Sequence, residues 1–224
     1  MKKPILLALC TALAVGASAK TWTNNIGVGV AVPFSITGVD DDNVDDVTQL
    51  EFGVGGTYIG YHESGFTVKA DLAIGVGITD DISVQSNKRN VGVFENAAAG
   101  VGYSFLRTER FLLGAAAMFG MELSQYDDDD DARVAGVKHT YTTSQLLVTL
   151  SVGGDVFTRY RLGEHVGLFA NVGARYLVWG SSTLQTKDEW TTDDDVKHSR
   201  TNDDATDLWG KFIVQPTLGI IWTF

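Results

Sequence analysis

Residues 209–224 read WGKFIVQPTLGIIWTF. Phe212, Val214, Pro216, Leu218, Ile220, Trp222 and Phe224 share one parity. Lys211, Gln215, Thr217, Gly219 and Thr223 share the other, with Ile213 and Ile221 as apolar exceptions. A period of two belongs to a β-strand whose two faces meet different surroundings. This strand is longer than the ~9–11 residues that carry a tilted strand across a bilayer.

Working back from the C-terminus, the same texture recurs eight times, near 22–36, 48–61, 65–78, 91–106, 110–125, 142–161, 165–180 and 209–224. Ile26, Val28, Val30, Val32 and Phe34 alternate with Asn25, Gly27, Gly29, Ala31 and Ser35, and Phe66 to Val76 alternate with Thr67, Lys69, Asp71, Ala73 and Gly75. Tight turns around His62-Glu63-Ser64, Arg107-Thr108-Glu109 and Leu162-Gly163-Glu164 alternate with long stretches at 37–47, 79–90, 126–140 and 181–208. Short turns on one side and long loops on the other mark a membrane-spanning barrel. The expected fold is all-β: an eight-stranded antiparallel up-and-down transmembrane β-barrel, closed so that no sheet edge is left in lipid.

The chain opens with Lys2 and Lys3, an apolar run from Pro4 to Val15, and Ala17-Ser18-Ala19. That order reads as a secretory signal peptide over residues 1–19, which leaves 20–224 as one barrel in an outer membrane. Cys10 is the only cysteine, so the mature chain has neither a disulfide nor a cysteine-built metal or redox centre. Leu9 before Cys10 stands where a lipoprotein signal carries a small residue.

The formal charge of −11 becomes −13 without the two signal lysines. The four long stretches hold 20 acidic and 7 basic residues, so they carry all of that excess. Phosphate recognition needs clustered Lys and Arg, so nucleic acid is excluded as a partner.

Two other sets of residues follow from the alternation. The small-residue face carries Glu51, Lys69, Asp71, Glu122, Asp155, Arg159, Arg175 and Lys211. Glycine beside charge suits a narrow interior, where ions must pair. Counted from the short turns, Lys69, Asp71, Asp155 and Arg159 form a lower neutral layer, and Glu51, Glu122, Arg175 and Lys211 an upper one. Aromatics end the apolar face: Trp22, Tyr58, Phe66, Tyr103, Phe105, Phe111, Tyr160, Trp222 and Phe224 near the turns, and Phe34, Phe52, Tyr176 and Phe212 near the loops. Two such girdles belong at the two interfaces.

Thr217-x-Gly219-x-x-Trp222-x-Phe224 resembles the C-terminal assembly signal of outer-membrane barrels. The resemblance implies that Thr217, Gly219, Trp222 and Phe224 are read by the barrel-assembly machinery. The plan of the mature chain resembles the small eight-stranded family that includes the OmpA membrane domain, OmpX and OmpW, without the diagnostic motif of any one member.

The aspartate runs, Asp40-Asp41-Asp42, Asp127 to Asp131 and Asp193-Asp194-Asp195, fail as calcium loops. Counted from Asp127, Ala132 stands where glycine is needed and Lys138 where glutamate is needed. They read as solvated charge. His139 near Ser144, or His198 near Ser199, would have to meet in space to act as base and nucleophile. Pro33 and Pro216 fall on the two strands that close the barrel, where each removes a ladder donor. They imply a local gap, or a lateral opening of the kind ascribed to OmpW-like barrels.

The expected role is a monomeric surface-exposed barrel that presents acidic loops for adhesion, host interaction or envelope structure. Its partners would be outer-membrane lipids and an extracellular ligand met by Asp40, Asp41, Asp42, Asp127, Asp129, Asp131, Trp190, Asp193, Asp194 and Asp195. No cofactor, metal or enzymatic activity is expected. A narrow channel or an apolar-solute transporter is the alternative, and a lipid-modifying barrel enzyme the third reading. An unobstructed lumen would favour transport, and a plugged one loop display.

Overall fold

The computed structural model describes residues 21–38, 47–79, 90–134, 137–191, 197–207 and 209–224. The expected signal peptide, the aspartate runs at 40–42 and 193–195, and the stretch 80–89 lie outside these residues.

Ten strand segments account for almost all of the described chain: β1 (Trp22–Ala31), β2 (Phe34–Gly38), β3 (Val47–His62), β4 (Phe66–Thr79), β5 (Asn90–Arg107), β6 (Phe111–Val134), β7 (Val137–Arg161), β8 (Val166–Thr191), β9 (Lys197–Asp207) and β10 (Trp209–Thr223). The barrel strands pair antiparallel with their sequence neighbours, and β10 returns to β1 and β2. β1 and β2 are one barrel strand interrupted at Val32–Pro33. β9 and β10 also follow one another along β8 in one register, with Asp207 opposite Ser181 and Phe212 opposite Tyr176. The ten segments therefore make eight barrel strands.

The ring closes with a stagger. Following cross-strand partners from Ile26 leads through Tyr58, Ala70, Ala99, Phe119, Val152, Tyr176 and Phe212 to Ile36. One circuit advances the register from residue 26 to residue 36, a shear of ten, which tilts the strands by roughly 35–45°.

Exposure decides which face is inside. Val30, Val54 and Leu218 are 59%, 59% and 65% exposed, while Lys69, Arg159 and Lys211 are at most 1% exposed. A water-soluble barrel reverses that arrangement. A band of exposed Val, Ile, Leu and Phe around a buried polar interior has its stable place in lipid, so the chain is a transmembrane barrel of the outer-membrane type. The rims carry Phe66, Tyr103, Phe105, Tyr160, Trp222 and Phe224 on the turn side, and Phe34, Phe52, Tyr176 and Phe212 on the other, all well exposed. Tyr58 departs from the expected girdle. It is 6% exposed, lies along the wall over Gly60, and donates its hydroxyl proton to Asn24 at 2.8 Å.

The stretches 126–140 and 181–208, expected as loops, are largely strand. β6 runs on to Val134 and pairs with β7 from Val137, and β8 continues to Thr191 and pairs with β9. The cause is the opposite strand. Asp127 to Asp131 face Ser144, Thr143, Thr142, Tyr141 and Thr140, and β-branched and aromatic residues favour the extended ladder that the aspartates alone do not. A four-stranded sheet thus projects beyond the membrane band on the loop side.

Candidate functional site

Two places concentrate polar chemistry: the lumen and the projecting sheet. The lumen is layered along the barrel axis. Nearest the short turns, Arg159 donates to Asn25 Oδ1 at 2.8 Å and to Thr223 Oγ1 at 3.3 Å, with its guanidinium carbon 5.9 Å from the Tyr61 ring centre. No carboxylate pairs with it among the described ion pairs.

Above Arg159 the lumen is apolar. Phe157 and Ile59, two residues further along the same faces from Arg159 and Tyr61, join Leu112, Phe169 and Ile221 in a cluster with almost no exposure. Glycines make the room. A Cβ on Gly27 would stand 2.7 Å from Phe169 Cε1, and one on Gly114 would run into the Phe157 ring. Ile221 and Ile213, the two exceptions in the last strand, point inward and are buried.

The middle layer is a neutral group of four charges. Lys69 Nζ bridges Asp71 and Asp155, the latter at 2.7 Å, and Arg175 Nη2 lies 3.8 Å from Asp71 and 3.7 Å from Asp155. Thr57 donates to Asp71 at 2.7 Å and Asn171 to Thr57 at 3.3 Å, so the hydrogen bonds continue around the wall.

The upper layer is Glu122 with Lys211, Lys211 with Gln49 Oε1 at 2.9 Å, and Glu51 reached by Ser124 at 3.4 Å and Tyr126 at 3.5 Å. Asn96 links the two layers. It accepts from Arg175 at 3.1 Å and donates to Glu122 at 3.4 Å. The expected layering is therefore corrected. Arg175 reaches down to the aspartates through a long side chain, and Arg159 stands apart below the apolar cluster. The middle layer balances, the upper one carries two carboxylates against one ammonium, and the compensating positive charge lies at the far end of the lumen.

The projecting sheet carries a stack of rings. His139, Trp190 and His198 are cross-strand partners on β7, β8 and β9. Their centroids are 5.2 Å and 5.3 Å apart with planes 18° and 13° from parallel. Tyr141 stacks on His139 at 5.9 Å, and His139 Nδ1 lies 2.9 Å from Asp188 Oδ1. A single-layer sheet has no core beneath it, so such cross-strand pairs hold it together. Trp190 was legible as an aromatic in a polar stretch. Its partners were hidden because a loop has no register.

Neither histidine–serine pair meets. Ser144 is on the opposite face of β7 from His139, and Ser199 on the opposite face of β9 from His198, because their parities differ. The backbones of Asp127, Asp129 and Asp131 run in β6. No group of three or more His, Cys, Asp or Glu that could hold a metal occurs among the described residues.

The barrel seam keeps its register through the prolines. Ala31 pairs with Thr217 and Phe34 with Val214, Val32 donates to Pro216 at 3.0 Å, and Glu51 donates to Pro33 at 2.9 Å. Each proline thus removes one donor without shifting the strands.

No protein-family model matches the chain, and no curated protein matches it in sequence. Solved outer-membrane proteins are among the structures it resembles. OprG from Pseudomonas aeruginosa superposes with a TM-score of 0.53 at 13% identity, over 92% of this chain and 97% of that one. Ail of Yersinia pestis, solved with the heparin analogue sucrose octasulfate, gives 0.47 at 14% over 91% and 99%. A major outer membrane protein from Thermus thermophilus gives 0.47 at 12% over 88% and 99%. The fold is that of outer-membrane β-barrels, and with its lipid-facing band this chain belongs in an outer membrane.

Proposed function

We propose that this outer-membrane barrel is a display protein: a rigid, closed cylinder that holds a stiff acidic sheet at the cell surface for adhesion, host contact or envelope structure. The filled lumen carries the reading. Phe157, Phe169, Leu112, Ile59 and Ile221 occupy the lower interior, and the buried ion groups of Lys69 and Lys211 occupy the rest. An eight-stranded barrel has room for side chains and little more. Residues 1–19 act as the export signal, and Thr217, Gly219, Trp222 and Phe224 are read during assembly. The extracellular contacts fall on the projecting sheet, with Asp127, Asp129 and Asp131 on β6 and Trp190 on β8, together with the aspartates at 40–42 and 193–195.

Transport is the competing reading. The register kept across both prolines, from Ala31–Thr217 to Phe34–Val214, speaks against passage of an apolar solute through the wall there, and the one shift in the seam among the described residues lies beyond it, between Trp209 and Phe212. Planar-bilayer recording of the refolded protein, beside the double variant Arg175→Ala and Lys211→Ala, tests the choice. Silent membranes containing folded protein are the expected result. Discrete openings that the double variant alters would move the function to transport.

A further inference from the structure

The upper lumen has a charge it does not balance. Glu51 and Glu122 are 2% and 3% exposed, and Lys211 is the one cation bonded to them among the described residues. Lys211 is committed to Glu122 and to Gln49. Among the described residues, the hydrogen bonds to Glu51 come from the neutral hydroxyls of Ser124 and Tyr126, at 3.4 Å and 3.5 Å, the long limit of a hydrogen bond. The surplus positive charge, Arg159, lies beyond the apolar cluster of Phe157 and Ile59 and cannot reach them. A buried carboxylate without a counter-charge costs several kcal/mol.

A second observation lies at the same place. Thr149 stands directly across from Glu122 in the β6–β7 ladder, faces the lumen, and is 1% exposed. Its hydroxyl oxygen has no hydrogen-bond partner among the described residues. A proton on Glu51 would cancel the excess charge and leave that oxygen orphaned. A hard cation, which takes oxygen ligands from carboxylates and neutral oxygens together, would answer both.

We propose that the upper lumen holds one small monovalent inorganic cation, sodium or potassium, between the Glu51 and Glu122 carboxylates and the Thr149 hydroxyl. With it the layer becomes neutral, as the middle layer already is. A divalent ion would reverse the imbalance. The site concerns the barrel interior and stands whatever the extracellular sheet binds.

The test is thermal unfolding of the protein in detergent, in sodium, potassium or choline chloride at equal ionic strength. Screening of the acidic surface is then the same in all three. The melting temperature should rise with sodium or potassium concentration above its value in choline, as for any ligand bound only by the folded state. Glu51→Gln should remove that dependence. Thr149→Val, which keeps both carboxylates, should weaken it by about tenfold in concentration, the effect of one lost contact to a charged group. If Glu51→Gln does not fold, Thr149→Val decides alone, and an unchanged dependence overturns the site. Identical melting in all three salts also overturns it. An infrared carbonyl band from a protonated carboxyl, lost in Glu51→Gln, would then show a proton held in the cation's place.

Discussion

Phe169 on β8 occupies the space a side chain at Gly27 on β1 would fill, with its ring carbon 2.7 Å from where that Cβ would stand. Gly219 on β10 flanks the same ring, also at 2.7 Å. The glycines of the first and last barrel strands are thus a socket, and the aromatic from the strand beside them is the plug. Gly27→Ala should cost about 1–3 kcal/mol through overpacking, and Phe169→Ala about 3–5 kcal/mol through the void it leaves. Urea unfolding in detergent micelles measures both. If the plug also blocks the lumen, Phe169→Ala should bring conductance to a silent barrel.

Lys69 holds two buried carboxylates, Asp71 and Asp155, with Arg175 standing further off. Lys69→Met should destabilise the barrel by about 3–5 kcal/mol, because a surplus negative charge is left where water cannot reach it. Adding Asp71→Asn to that variant should recover much of the loss. Recovery is the informative result, since it separates stranded charge from lost packing.

The ring stack of His139, Trp190 and His198 lies outside the membrane band, so its loss should not unfold the barrel. Trp190→Ala removes two aromatic contacts, each worth about 0.5–1.5 kcal/mol. Hydrogen exchange should speed up at amides of Ser181–Thr191 and Lys197–Asp207, where β8 and β9 pair, and stay unchanged at Phe111–Gly120. Equal acceleration in both regions would mean that the sheet and the barrel open together.

Pro216 accepts a hydrogen bond from Val32 at 3.0 Å and offers none back, so Val32 O lacks the reciprocal donor in that ladder pair. Pro216→Val supplies it on an exposed, lipid-facing position. The expected gain is about 0.5–1.5 kcal/mol, read as a higher melting temperature. Amide exchange at Val30 and Leu218, a pair of the same parity as Val32–Pro216 and so bonded across the seam, should already be as slow in the native protein as at Thr57 and Asp71. Fast exchange confined to the seam would revive a lateral opening.

The period-two alternation was enough to determine the barrel. It is local chemistry, repeated eight times, and the membrane demands that every strand find a partner, so the topology follows from the count of strands and the lengths of turns. The identities of the interior charges were legible for the same reason, since parity assigns a face. Three things were decided only in the folded molecule. Arg175 joins Asp71 and Asp155, and Arg159 stands apart, because side-chain reach and the shear of ten set the layers rather than distance along a strand. Phe157 and Phe169 fill the lumen because glycines on neighbouring strands, far away in sequence, leave them room. The acidic stretch after Tyr126 is a strand because threonines at 140, 142 and 143 lie opposite it, and pairing between strands is a property of register that neither segment carries alone.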